Sequence, residues 1–215
     1  MGMTCNIRAV SDADIADVLE QPARLTRLLY GPGPSNLHPN VQVIDLTPKG
    51  VINALTPRWI KRSARAFRSV GARVRPTEVD SWQPRSDGEE LDLDKSWHGI
   101  HFLLTGTAYE GEPPLDFIVR GGVEIDDADV GIGPARALRS DEVRAVADAI
   151  ERFPPDELRE RFDSERMLEE GIYPDIWDRD PAEDDALGYL IEHYADLRAF
   201  VRRTADRGDG LIVTI

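Results

Sequence analysis

At 215 residues, with 41% hydrophobic and 31% charged side chains, the chain has the profile of a soluble globular protein long enough to bury a substantial core. Lys and Arg number 26 against 40 Asp and Glu, a formal charge of −14. That balance argues against nucleic acid as a general partner, because phosphate binding wants positive surface. No apolar run approaches the roughly 20 residues that cross a bilayer, so no membrane partner is expected.

A single cysteine, Cys5, excludes an internal disulfide framework and fits a reducing compartment. The opening Met-Gly-Met-Thr-Cys-Asn lacks the charged and apolar regions of a secretion signal. The expected localisation is cytoplasmic.

Residues 3–10 alternate, with Met3, Cys5, Ile7 and Ala9 on one side, which predicts a half-buried strand. Ser11 followed by Asp14 resembles a capping box, and Ile15, Val18 and Leu19 give the next helix its buried side. Pro22 interrupts that helix; Leu25, Leu28 and Leu29 carry a second piece to Tyr30. Gly-Pro-Gly-Pro at 31–34 forces a turn and marks a module boundary.

Beyond it, Val41–Leu46 reads as a strand and Pro57–Val70 as an amphipathic helix with Lys61, Arg62, Arg65 and Arg68 on its polar side. Residues 46–77 hold eight Lys or Arg and no acid, leaving 18 basic against 40 acidic side chains elsewhere, a formal −22. The domain expectation is therefore a single domain over residues 1–215 with a basic insertion at about 31–90. Residues 76–90 read as a loop.

Leu91–Gly106 is the densest stretch. Asp94 reads as an N-cap, and Trp97, Ile100, His101 and Leu104 share one helical face. Phe102 and Leu103 extend the apolar surface, which predicts a helix buried on most sides, closed by Gly106 at positive φ. Thr107–Pro114 is turn-rich, and Asp116–Arg120 fits either a helical or an extended segment. Gly122–Ile125 and Ala135–Leu138 read as short strands around an acidic loop at Asp126–Asp129.

Ser140 is placed as the N-cap of a helix through Phe153, with Val143, Val146, Ala147 and Ile150 inward. Pro154-Pro155 ends it. Short helices follow around Leu158–Phe162 and Met167-Leu168. Residues 182–207 form the longest helix, with Leu187, Leu190, Ile191, Tyr194, Leu197 and Val201 in one stripe. Gly208 and Gly210 stop it, and Leu211–Ile215 is a terminal strand.

The stretch Leu-Asp-Leu-Asp-Lys-Ser-Trp-His-Gly-Ile-His-Phe-Leu-Leu-Thr-Gly resembles the signature of the YfbM-like proteins, a bacterial family of unknown function. Gly-Gly-Val-Glu-Ile at 121–125, Gly-Pro-Ala-Arg-Ala-Leu at 133–138, Gly-Ile-Tyr-Pro-Asp-Ile-Trp at 171–177 and the closing helix and strand resemble it too. The likeness covers residues 1–30 loosely and 91–215 well. It implies an α+β fold, a compact layered sandwich with a short mixed sheet packed by helices. It implies no established reaction and no catalytic residues.

Asp92, Asp94, His98 and His101 invite a metal site, but the usual helical zinc pair is His-x-x-x-His, and Asp94 serves better as a cap. No metal and no cofactor are expected. His101 on the inner stripe reads first as a core histidine with both ring nitrogens satisfied. The competing reading is a pocket of Lys95, Trp97, His98, His101, Tyr173 and Trp177, because aromatic walls around a titratable group are the usual make-up of small-molecule sites.

No Gly-x-Ser-x-Gly elbow, phosphate-binding glycine loop or Cys–His neighbourhood is present, and no catalytic residue is assigned. Two functional readings follow. The first is a non-catalytic interaction or regulatory module, its partner an unidentified protein or small molecule, whose acidic surface suits a basic partner in the manner of small antitoxin or immunity proteins. The second is a small-molecule hydrolase or isomerase using His101 or His98 with Lys95. An enzyme requires one of those imidazoles to be reachable from solvent; a binding module leaves both covered.

Overall fold

A computed structural model describes residues 2–31, 82–85, 88–129 and 133–215. The strand expected at Val41–Leu46, the basic helix at Pro57–Val70 and the basic stretch 46–77 lie outside the described residues. The chain divides into two units, Met1–Leu29 with Pro84–Ile215, and Tyr30–Gln83; the sheet and its packed helices belong to the first.

Strand β1 (Asn6–Val10) leads into α1 (Asp12–Glu20), a 3-10 turn (Pro22–Arg24) and α2 (Leu25–Tyr30). Then come β2 (Glu90–Asp92), α3 (Trp97–Thr105), β3 (Val123–Asp129) and β4 (Pro134–Leu138). The helices α4 (Ser140–Ile150), α5 (Pro155–Glu160), α6 (Ser164–Glu169) and α7 (Ala186–Arg207) precede the last strand, β5 (Gly210–Thr214). Among the described residues no helix is long and apolar enough to cross a membrane.

The five strands form one sheet in the order β2-β1-β5-β4-β3. Ile7 faces Leu91 on one side and Val213 on the other, and Ala137 faces Ile212. Every pairing is antiparallel, so the α+β class holds while the sheet is antiparallel throughout instead of mixed. Successive side chains of a strand point to opposite faces, and β5 is buried on both. Leu211 and Val213 join the main core with residues of α3, α4 and α7; Ile212 between them is buried outside it. α1 packs against β5 and β3, and its buried Ile15 and Val18 also stand outside that cluster. The layers follow from the alternation.

Trp97, Ile100 and Leu104 are all but inaccessible, as the helical spacing requires. Gly106 closes α3 in the left-handed conformation, its N–H bonded to the Phe102 carbonyl. The start of that helix differs from expectation. Asp94 is not its cap: it sits at φ 45°, two residues before the Ser96 N-cap position, and its carboxylate accepts from the Tyr189 hydroxyl at 3.0 Å. A tertiary acceptor role has displaced the local one.

Ser140 is likewise not the cap of α4. It is the first helical residue, and its N–H and hydroxyl both donate to the Asp12 carboxylate, at 2.8 and 2.7 Å. Arg139 takes the N-cap position, and its N–H donates to Glu142 at 2.7 Å. α4 ends at Ile150 instead of Phe153, and α7 begins at Ala186, where Asp185 accepts the Gly188 N–H. β2 meets the expected 76–90 loop only at its last residue, Glu90, whereas one supposed loop carries strand: β3 runs through Asp126–Asp129. Acidic composition suggested a loop there, but pairing with β4 decides otherwise.

Candidate functional site

The six residues singled out from the sequence come from two segments. Lys95, Trp97, His98 and His101 lie on or just before α3; Tyr173 and Trp177 lie on the segment between α6 and α7. The fold brings Trp97, His98 and Tyr173 together. The His98 ring stacks on Trp97 at 4.8 Å and 13°, meets Tyr109 at 4.7 Å on another side, and Tyr173 tilts over Trp97 at 6.5 Å. The Trp97 indole donates to the Met3 carbonyl, and the Met3 N–H donates to the Tyr173 hydroxyl, which ties β1's leading residues to this cluster.

His98 has no solvent exposure. Its Nδ1 accepts the Tyr173 N–H at 2.9 Å, so the ring proton lies on Nε2 and donates to the Ala108 carbonyl at 2.8 Å. Burial lowers its pKa, partly opposed by the Ala108 bond. His101 is equally covered, and its Nε2 lies 3.0 Å from the Glu110 carbonyl. The buried Nδ1 has no hydrogen-bond partner. Burial is the main cause that pushes this imidazole down to about 4; the Glu110 carbonyl acts the other way.

One function of the pair is therefore visible: the two imidazoles hold carbonyls of residues 108 and 110 and pin that loop to α3. Trp177 is buried, donates to the Ile172 carbonyl at 2.6 Å, and packs where Gly99 leaves room between α3 and α7. Lys95 is exposed, and its N–H donates to the Tyr189 hydroxyl. Among the described residues no three His, Cys, Asp or Glu side chains converge as a metal site would need.

A cleft of about 430 Å³ opens elsewhere, between the turn at 113–122, Leu138 of β4 and the Glu142–Val146 side of α4. None of the six lines it. Its apolar wall includes Pro113, Pro114, Phe117, Leu138 and Val146, and its polar groups are Asp116, Arg120 and Glu142. Asp116 is 5% exposed, and its buried Oδ1 has no hydrogen-bond partner. Burial pushes this carboxyl above its ordinary range, opposed by its own amide and by Arg120. Arg120 is half-exposed and paired with Glu110 at 3.2 Å. The turn is set by the Val119 and Arg120 N–H groups donating to the Asp116 carbonyl. Sequence reasoning passed over this cleft. Its signal was an acid and a base four residues apart after a double proline, too common a pattern to stand out among 40 acids.

Among the described residues, a five-stranded antiparallel sheet whose β5 is buried on both faces, together with a histidine-bearing core helix, defines an α+β domain. The chain belongs to the family described as a domain of unknown function (DUF1877), which matches residues 1–214. It is 30% identical to Protein YfbM of Escherichia coli (strain K12) over 129 residues, 58% of this chain and 75% of that protein. The crystal structure of YfbM from Escherichia coli, titled a protein of unknown function, superposes with a TM-score of 0.58 at 18% identity, over 98% of each chain. That likeness shows a shared fold.

Proposed function

We propose that this protein is a non-catalytic binding or regulatory module, and that its histidine helix is a structural brace. The observation that supports this is the complete burial of both imidazoles, with His98 engaged at each ring nitrogen by backbone groups. A general base has to reach the proton it abstracts, directly or through one water. A formal charge of −14 suits a cationic partner, because complementary charge raises encounter rates and disfavours like-charged competitors.

One observation favours the alternative, a hydrolase or isomerase beside Trp97: the partnerless Nδ1 of His101. A thermal-shift screen of metabolites on the wild type, His98→Gln and His101→Gln separates the two. The binding reading expects both variants to melt lower when unliganded, with any ligand hit retained. A hit abolished by His101→Gln at unchanged unliganded melting overturns it and promotes the enzyme.

A further inference from the structure

We infer that the cleft lined by Asp116, Phe117, Leu138, Glu142 and Val146 is a binding site for a small organic ammonium ion with an apolar body. It lies apart from the histidine cluster, and the assignment does not depend on whether that cluster is a brace or a catalyst.

Three features converge. First, the volume of about 430 Å³ falls among ordinary small-molecule sites, and the wall is mostly apolar, with Phe117, Leu138 and Val146 themselves buried. Such a wall takes an aliphatic or aromatic body. Second, Asp116 is one of the lining residues, and one oxygen of its nearly dry carboxyl is buried without a partner. A buried acceptor without a donor is destabilising, and few native groups are left so. An N–H donor entering the cleft supplies what the fold does not.

Third, the charges favour a cation over an anion. Glu142 adds a second carboxylate on the α4 side, one oxygen of which already accepts from the Arg139 N–H. Arg120, the cation of the lining, is already paired with Glu110, and the two lining carboxylates outnumber it. A charge-assisted N⁺–H···O⁻ bond in a partly desolvated site is the strongest contact this lining offers.

The probes are phenethylamine and 3-phenylpropionate, similar in body and opposite in charge, titrated into the full-length protein by amide-detected NMR. Phenethylamine is expected to shift the amides of Phe117, Gly121, Gly122 and Val146 saturably, and 3-phenylpropionate to bind at least tenfold more weakly. Asp116→Asn keeps the side-chain size and removes the charge; it should weaken the amine at least tenfold. Ala145→Leu narrows the cleft from the exposed side of α4 and should also abolish the shifts, which decides the matter if Asp116→Asn does not fold. No saturable shift with phenethylamine, equal or tighter binding of 3-phenylpropionate, or unchanged amine affinity in Ala145→Leu overturns the assignment.

Discussion

The Tyr173 N–H donates to Nδ1 of His98 across 2.9 Å, joining residues 75 positions apart in the chain. This bond fixes the neutral tautomer, since a protonated Nδ1 could not accept it. It also anchors the segment between α6 and α7 to the core helix. His98→Gln retains an amide that can donate to Ala108 but removes the acceptor for Tyr173. The expected cost is about 1–3 kcal/mol, the usual penalty for an unsatisfied buried polar group. Hydrogen exchange gives the sharper readout: the Tyr173 amide should exchange faster in the variant. Unchanged protection there would show that something other than His98 holds the segment.

Gly99 sits where α3 meets α7. A Cβ placed on it would come within 2.7 Å of Leu190 Cδ2 and 2.9 Å of Trp177 Cη2, and both neighbours are buried. Neither side chain can swing into solvent. Gly99→Ala, which would raise helix propensity on a free surface, should here destabilise by about 1–3 kcal/mol through overpacking. Chemical denaturation and near-UV dichroism of the tryptophans measure it. A variant as stable as wild type would mean that the α3–α7 contact yields easily.

What is legible in the sequence follows the range of the forces involved. The i, i+3, i+7 spacing of Trp97, Ile100 and Leu104 reports burial directly, because a helix face repeats whatever its partner is. The alternation over Cys5, Ile7 and Ala9 works in the same way for β1. Caps are less legible. Asp94 and Ser140 have good capping chemistry, yet Tyr189 and Asp12, distant in sequence, claim their side chains. The burial of the histidines is readable from their place on an apolar helix. The expected satisfaction of both His101 ring nitrogens is not met, because Nδ1 has no partner. The backbone carbonyls that the imidazoles hold are not readable, because the 106–112 turn has no periodicity. Asp116 is the least legible of all, since its setting depends on β4 and α4, distant in sequence, closing beside its turn.

Asp14 shows how a cap residue acquires a longer reach. It is wholly buried and follows Ser11, whose hydroxyl accepts the Asp14 N–H and donates to its carboxylate at 2.8 Å. The same carboxylate accepts the Arg85 N–H at 3.2 Å and its guanidinium at 2.9 Å. Asp14→Ala strips partners from three donors, so a loss of about 1–3 kcal/mol is expected. Arg85→Ala should lose less, because the arginine is half-exposed and its backbone N–H remains. Urea denaturation of the two variants tests the order. Equal losses would assign the effect to the charge pair instead of to the backbone bond.

The pH dependence of stability should carry the signature of His101. Its folded pKa is pushed down to about 4, chiefly by burial, against an ordinary value of 6.5. The unfolded chain therefore binds this proton more readily than the folded one. Stability from His101 is fully present above about pH 6.5, declines as pH falls, and has gone by about pH 4. The total is on the order of 3 kcal/mol. Burial of His98 acts in the same direction. Carboxylates titrate in the lower half of this window, so the informative quantity is the difference between wild type and His101→Gln at each pH. Near pH 7 the variant should be less stable, because glutamine fits the imidazole's place imperfectly. As pH falls to 4.5 the gap should narrow by about 2 kcal/mol or reverse, since glutamine has no proton to take up. Urea unfolding at half-unit intervals measures it, and parallel curves for the two proteins would mean that His101 is solvated or partnered at Nδ1 in solution.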